Sequence, residues 1–172
     1  GAALFIWYQY LGNERKPDGK NDSQKASLLG PGYKDEEIVA FLESKGIPYI
    51  KLKTEDIPGR IADLIASEKV IGWFQGRMEF GPRSLGSRSI LGDARSSKMQ
   101  ETMNLKIKFR ESFRPFAPSV LKEKAEEYFD LKTDSPYMLL VAPVKDSKRR
   151  RMTPEEDALF GIAKLNVKRS DI

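Results

Sequence analysis

The sequence of 172 residues contains no cysteine and no histidine. The lack of cysteine excludes disulfide scaffolds, thiolate metal sites and cysteine nucleophiles. The lack of histidine excludes imidazole zinc sites and catalytic triads with a histidine base. Long apolar runs are also missing: residues 2–8 and 138–142 are far too short to span a bilayer, and residues 2–11 lack the features of a secretory signal peptide. We therefore expect a cytoplasmic protein without a membrane partner.

Positive charge is present in excess, and the excess lies in one stretch. The net charge is +5 and the pI is about 9.3. Residues 72–114, here called the basic window, contain nine Arg or Lys and four Asp or Glu, so their surplus equals the net charge of the chain. A surplus confined to one window rich in Gly and Ser indicates a binding site for a polyanion. Charge alone does not distinguish phosphate-bearing small molecules from nucleic acid.

Hydrophobic periodicity predicts alternating helices and strands, which indicates an α/β layer structure. The predicted helices cover residues 2–11, 35–45, 56–68, 97–103 and 122–129, with a further start at 153. The predicted strands cover residues 47–52, 70–74 and 137–142. Two helix starts match a capping box, Ser97 with Gln100 and Thr153 with Glu156. The basic run at 145–151 is interpreted as a solvated loop.

Three glycines recur at five-residue intervals in the basic window, and an arginine follows each by one or two positions: Gly76 with Arg77, Gly81 with Arg83, and Gly86 with Arg88. Glycine lets backbone N–H groups approach a ligand closely, and the planar guanidinium matches two phosphate or carboxylate oxygens. The pattern is neither a P-loop nor a GxGxxG motif. Glu79 either orients a guanidinium or binds a ribose, or it forms an ordinary ion pair. Asp93 alone is too little for a metal site, so no metal ligand is predicted.

The second half of the basic window carries Lys108, Arg110 and Arg114. On an extended strand Lys108 and Arg110 face the same side and converge on one anion, whereas on a helix they diverge. Phenylalanines at 109, 113 and 116 alternate with these bases. Aromatic side chains in such positions either stack on nucleobases or belong to the core, and the core is the simpler interpretation.

Three ordered motifs make the pattern specific. Residues 72–91 read GWFQGRMEFGPRSLGSRSIL, residues 104–121 read NLKIKFRESFRPFAPSVL, and residues 135–139 read SPYML. Together they closely resemble the carboxy-terminal part of the NodU/TobZ-type O-carbamoyltransferases. The chain departs from the family's GPRALG and GNRSI at Ser84 and Ser87, and from its ADPR at Ala94. These replacements are small, so we expect the shape of the pocket to survive.

The resemblance implies an α/β, YrdC-like fold, with a twisted mixed sheet flanked by helices. Residues 1–12 resemble the tail of an actin-like catalytic domain, and residues 13–29 form a linker or loop. Residues 30–172 then correspond to a YrdC-like domain that binds carbamoyl phosphate and ATP. We expect this domain to be incomplete at its C-terminus, because the family's THVDGSARVQTV and NTSFN motifs follow the segment that LNVKRSDI resembles.

The resemblance also implies a reaction and its residues. The family's domain converts carbamoyl phosphate and ATP, with Mg²⁺, to carbamoyl adenylate. The actin-like domain, where iron is a candidate metal, then transfers the carbamoyl group to a hydroxyl of a small molecule. Catalytic roles fall on Arg83, Lys108 and Arg114, and supporting roles in the nucleotide pocket on Arg77, Glu79, Arg88 and Arg110.

These assignments imply small-molecule substrates and an actin-like domain in cis as partners. They also imply a fragment that is inactive alone. Two alternatives stay open: an RNA-binding YrdC-like module and an inactive scaffold. Salt separates the RNA binder from the nucleotide pocket, because an RNA binder neutralises many phosphates and therefore loses affinity steeply with ionic strength.

Overall fold

The computed structural model describes residues 1–170, which combine helices with one small sheet. Seven α-helices occur in these residues: α1 (Ala2–Phe5), α2 (Asp35–Ser44), α3 (Ile57–Ala66), α4 (Met99–Thr102), α5 (Ala125–Tyr128), α6 (Pro154–Asp157) and α7 (Gly161–Leu165). π-Helical turns continue α1 over Ile6–Tyr10 and α4 over Met103–Ile107. This mixed composition confirms the predicted α/β class. Within residues 1–170, no helix combines the length and apolarity needed to cross a membrane.

The sheet is an antiparallel pair of short strands, β1 (Ile71–Phe74) and β2 (Arg88–Leu91). Its register places Ile71 opposite Leu91 and Phe74 opposite Arg88. The N–H of Gln75 donates to the carbonyl of Ser87 at 2.9 Å and extends the pairing by one step. Residues 75–87 therefore form the connection between the strands, and this connection carries the glycine repeat of the basic window. The sequence predicted β1 but not β2.

Several predicted helices form for the expected local reasons. Asp35, Glu36 and Glu37 fill the first turn of α2, where carboxylates complement the helix dipole, and Gly46 follows its end at φ +61°. The capping box of α6 is also present, because Thr153 Oγ1 accepts from the N–H of Glu156 at 3.2 Å. These features confirm the predicted starts of α2 and α6.

Two predicted strands are wrong. Residues 47–52 and 137–142 form no ladder in the structure. In the second segment Leu139 is 82% exposed and Val141 fully exposed, because no neighbouring strand covers them. The hydroxyl of Tyr137 instead accepts from the N–H of Ala26 at 3.0 Å and donates to the carboxylate of Asp22. The prediction rested on apolar composition alone and mistook a loop for a strand.

The predicted cap at Ser97 is also wrong. Helix α4 begins after Lys98, and no side chain caps it. The amide of Gln100 points to another segment, where it donates to the carbonyls of Phe113 and Arg114 at 3.2 Å each. Gln100 therefore connects α4 to the second half of the basic window rather than closing its own helix.

Most apolar surface is open, and Met99 and Met103 are the buried apolar side chains of residues 1–170. Both lie against Gly92: a Cβ placed there would be 2.7 Å from Sδ of Met103 and 2.8 Å from Sδ of Met99. This contact joins the end of β2 to α4. The buried polar side chains are Ser27, Glu79, Asp93 and Asn104. Because a buried polar group costs free energy unless it is hydrogen-bonded, their partners show which loops are fixed.

Candidate functional site

The first basic loop, residues 80–87, is held by hydrogen bonds to the carboxylate of Glu79. This carboxylate is 4% exposed and accepts backbone N–H bonds from Leu85 at 3.0 Å and Ser87 at 2.8 Å. Its Oε2 atom lies 3.6 Å from Nε of Arg88, whose guanidinium also donates to the carbonyl of Gly81. Glu79 and Arg88 thus both bind the backbone of the loop. Of the two interpretations of Glu79, the geometry favours the ion pair.

Two glycines give this loop its path. Gly81 has φ +130° and Gly86 has φ +114°, a region that side chains with a Cβ rarely adopt. The N–H of Gly86 donates to Oγ of Ser89 at 3.1 Å. The chain therefore turns sharply on both sides of Arg83, which lies at the loop's exposed tip.

Arg77 contacts the segment that precedes α2. Its Nε donates to the carbonyl of Gly30 at 2.8 Å. The N–H of Gly30 in turn donates to the carbonyl of Met78 at 2.9 Å, and the N–H of Met78 donates to the carbonyl of Pro31 at 2.8 Å. Arg77 therefore helps to hold residues 27–32 beside the residues that precede the first basic loop.

The second basic loop, residues 108–114, is organised by Asn104, which is fully buried. The Asn104 amide nitrogen donates to the carbonyls of Ser112 at 2.9 Å and Arg114 at 2.8 Å. Its Oδ1 accepts from Nε of Arg110 at 2.6 Å. The guanidinium of Arg110 also lies 4.8 Å from the ring centroid of Phe116. Much of Arg110 is thus committed to the protein itself.

Residues 108–110 are neither an extended strand nor a helix, so neither predicted arrangement of Lys108 and Arg110 occurs. Lys108 ends the π-helical turn, and Phe109 has φ +48°. Phe109 is 86% exposed, which shows that the core interpretation is wrong for this residue. The chain reversal at Phe109 separates an exposed Lys108 from a half-buried Arg110.

The predicted cations differ in how much of their charge is engaged. Within residues 1–170, the side chains of Arg83 and Lys108 have no hydrogen-bond or ion-pair partner, and both are exposed. Arg114 forms an ion pair with Glu111 at 2.7 Å, and both side chains are about half exposed. The pKa of Glu111 is lowered by a hydrogen bond from its own backbone N–H and by the charge of Arg114. An exposed ion pair of this kind contributes little to stability, because solvent screens the two charges.

The two basic loops are connected through the methionine core. The first loop leads into β2, and Gly92 follows the last residue of β2. Gly92 packs on Met99 and Met103, and Asn104 follows Met103 directly. The structure therefore anchors both loops on one small core.

Comparison with known families shows the family to which the chain with these two loops belongs. The family model described as the carbamoyltransferase C-terminus matches residues 62–155, which is more than half of the chain and includes the whole basic window. The chain belongs to the carbamoyltransferase C-terminus family. This confirms the resemblance that the motifs of the basic window carry.

Relatives of this carbamoyltransferase domain include proteins from several bacteria. An uncharacterised protein of Synechocystis is 54% identical over 174 residues, which cover 100% of this chain and 28% of that protein. The nodulation protein NolNO of Sinorhizobium fredii is 50% identical over 100 residues, covering 56% of this chain and 15% of the relative. Nodulation protein U of the same species is 48% identical over 79 residues, covering 46% and 14%. The chain therefore spans between about one seventh and about one quarter of these relatives.

Two anchoring residues of the carbamoyltransferase domain were missed by sequence reasoning, Asn104 and Gln100. Both are polar residues next to the buried Met99 and Met103, and both donate to the backbone of residues 112–114. For Asn104 the available signal was a polar residue at a buried helical position, because such a residue must find buried partners. Gln100 is exposed, and its position carries no such signal.

Asp93 forms a local ion pair with Arg95. It is buried and accepts from the N–H of Arg95 at 2.9 Å and from its guanidinium at 2.7 Å. The hydrogen bonds from the side chain and backbone of Arg95 lower the pKa of Asp93 from 3.8 to about 2. In residues 1–170, no three His, Cys, Asp or Glu side chains are grouped so as to hold a metal ion.

The basic run at 145–151 is largely neutralised. Four of its cations form ion pairs: Lys145 with Asp130, Lys148 with Glu127, Arg149 with Asp146, and Arg150 with Glu156. The run therefore leaves little free charge for an anion, in contrast to the two basic loops.

Proposed function

We propose that this domain binds carbamoyl phosphate and ATP and supports the formation of carbamoyl adenylate. The observation that carries the proposal is the contrast among the basic residues. Arg83 and Lys108 are exposed and unpartnered within residues 1–170, while the loops that carry them are fixed by the buried side chains of Glu79 and Asn104. Fixed loops with free cations are preorganised for an anion, since little ordering remains to be done when the ligand binds.

Acyl adenylate formation places specific demands on such a site. Two anionic reactants must be brought together, and the negative charge on the departing pyrophosphate must be stabilised. In the proposal Arg83 and Lys108 contact phosphate oxygens, and Arg114 exchanges Glu111 for a phosphate. Positioning and cationic charge carry this chemistry without histidine, as they do in phosphoryl transfer.

The remaining predicted site residues have supporting parts in this proposal. Arg77, Glu79 and Arg88 shape the first loop, and Arg110 shapes the second. Mg²⁺ enters bound to the phosphates of ATP, which suits an ion that is usually held by substrate phosphates, waters and few carboxylates. Transfer of the carbamoyl group to a hydroxyl acceptor belongs to an actin-like domain in cis, and we expect residues 1–172 alone to bind these ligands without completing transfer.

A second candidate function, RNA binding, is favoured by one observation. Phe109 is 86% exposed between Lys108 and Arg110, and an exposed aromatic ring beside cations is a platform for base stacking. The phosphate-pocket proposal is preferred because most cations of the basic run at 145–151 are already paired with carboxylates and therefore do not extend a track for a nucleic-acid backbone.

Isothermal titration calorimetry of this chain tests the proposal. Mg·ATP and carbamoyl phosphate should each give saturable binding, with a shallow dependence on salt. A single-stranded RNA oligomer serves as the competitor ligand. An RNA binder that neutralises Z phosphates has a slope of log K on log salt of about −0.7Z for a single strand. Tight RNA binding with a steep slope, and no heat with Mg·ATP, would overturn the nucleotide proposal. Carbamoyl transfer to a hydroxyl acceptor by this chain alone would show that the assignment of transfer to another domain is wrong.

A further inference from the structure

Asn104 is a fully buried side chain whose polar atoms are all engaged. The two amide hydrogens of its Nδ2 serve the carbonyls of Ser112 and Arg114, and its Oδ1 accepts from Nε of Arg110. This pattern fixes the orientation of the amide. If its nitrogen and oxygen were exchanged, the amide oxygen would face two carbonyl oxygens and the NH₂ group would face the guanidinium of Arg110.

The bonds of Asn104 bracket the second basic loop from both ends. The backbone carbonyl of Asn104 accepts from the N–H of Arg110 at 3.0 Å, and its side chain reaches Arg114 at the far end. The segment between includes Phe109, a residue with a Cβ held at φ +48°. A residue with a side chain adopts this conformation only where surrounding contacts enforce it. Asn104 supplies several of these contacts.

No other side chain reproduces this set of bonds. Alanine removes all of them, and leucine adds apolar atoms against two carbonyls. Aspartate keeps the acceptor for Arg110 but has no donor for the carbonyls of Ser112 and Arg114. A primary amide on a short stem is therefore the group that the loop requires.

We propose that Asn104 is a positioning residue, one that sets Lys108 and Arg114 in the geometry that binds phosphate without touching the ligand itself. This inference rests on the proposed function, since it specifies how one half of that anion site is held. It extends that function by assigning a role to a residue outside the predicted site.

A double-mutant cycle separates positioning from a general loss of stability. The variants are Asn104→Ala, Lys108→Ala, Arg114→Ala and the two double variants that combine Asn104→Ala with each, all titrated with Mg·ATP by calorimetry. Asn104→Ala should weaken binding about tenfold in the wild-type background and much less in the Lys108→Ala or Arg114→Ala background. Additive losses in both backgrounds would overturn the positioning role. Asn166→Ala is the matched control, because Asn166 is exposed and its side chain has no partner in the described structure.

Limited trypsin digestion gives a second readout that needs no ligand. Cleavage after Lys108 and Arg110 should accelerate at least about tenfold in Asn104→Ala, while cleavage after Lys51 in the open segment 47–53 should be unchanged. Equal acceleration at all three sites would indicate global unfolding and overturn the local role. Asn104→Asp, which keeps the Arg110 contact, provides a second variant if the alanine variant does not fold.

The two readouts distinguish failure of this inference from failure of the proposed function. Absence of heat when the wild-type chain is titrated with Mg·ATP and with carbamoyl phosphate would overturn the proposed function and, with it, the phosphate role of Asn104. Normal wild-type binding with an unchanged Asn104→Ala titration would overturn the role of Asn104 alone.

Discussion

Glu79 and Arg88 lie 3.6 Å apart, measured from Oε2 to Nε, at the base of the loop that presents Arg83. The Glu79 carboxylate is almost completely buried and also accepts the N–H groups of Leu85 and Ser87. One carboxylate thus balances a guanidinium and closes a turn. The exposed cation at the tip of the loop depends on this buried pair for its position.

Glu79→Ala should reduce the free energy of unfolding. It leaves two backbone N–H groups without their acceptor, and a buried group left unsatisfied costs about 1–3 kcal/mol. Urea denaturation followed by tryptophan fluorescence measures the change, since Trp73 lies in β1. Glu126→Ala is the control, because the Glu126 side chain is exposed and has no hydrogen bond in residues 1–170. An unfolding midpoint equal to that of wild type would contradict the anchoring role of Glu79.

Gly86→Ala should destabilise the domain by about 1–3 kcal/mol, the cost of a strained backbone. Gly86 has φ +114°, and a Cβ placed on it would meet no atom within 4 Å, so the cost comes from the backbone alone. Gly72→Ala is a matched control, because its site is equally open and its φ is not in the left-handed region. Equal thermal unfolding temperatures for the two variants would show that the turn does not require glycine.

Arg110→Ala and Lys108→Ala should differ in stability although both remove a cation from the same loop. Loss of Arg110 leaves Oδ1 of the buried Asn104 unsatisfied and removes the contact with Phe116, at a cost of about 1–3 kcal/mol. Lys108 has no side-chain partner in the described structure, so its removal should change the free energy of unfolding by less than about 0.5 kcal/mol. Chemical denaturation of both variants measures the difference. A reversed order would contradict the assigned contacts.

The lowered pKa of Asp93 predicts that the folded protein loses stability in acid. Its pKa in the folded protein is about 2, below its ordinary value of 3.8, because Arg95 donates to the charged form. A carboxylate with a depressed pKa contributes stability above its unfolded pKa, and this contribution is lost as the pH falls from about 4 to about 2. Asp93→Asn should therefore have a shallower decline of the urea midpoint over this range. Asp63→Asn, which removes an exposed carboxylate of α3, serves as the control. The same slope for Asp93→Asn and wild type would refute the linkage.

The sequence was sufficient for those elements that depend on local chemistry. Hydrophobic periodicity predicted α2, and Thr153 with Glu156 predicted the start of α6. Residues 47–52 and 137–142 were predicted as strands on apolar composition alone, and neither has a pairing partner in residues 1–170. Strand formation depends on a neighbour that is remote in sequence, whereas a helix cap depends on residues three positions apart.

The candidate site, too, could be predicted from the sequence only in part. The motifs of the basic window identified the family and the basic loops, but the separation of free cations from engaged ones depends on three-dimensional contacts. Arg83 and Arg88 are both arginines close to a glycine, yet Arg88 is engaged by Glu79 and Gly81 while Arg83 is open. Asn104 was missed because its role consists of contacts to residues 110–114, which a one-dimensional pattern does not show.

The measurement that tests the central claim most directly is the affinity of three variants for Mg·ATP by calorimetry: Arg83→Ala, Lys108→Ala and Arg60→Ala. A hydrogen bond to a charged group contributes about 1.5–3 kcal/mol, so the first two substitutions should each weaken binding by about tenfold to a hundredfold. Arg60 lies in α3 and is also exposed and unpartnered within residues 1–170, so its removal should leave the affinity unchanged. Unchanged affinity in Arg83→Ala and Lys108→Ala, or equal losses in all three variants, would contradict the claim that these two loop cations form the phosphate site.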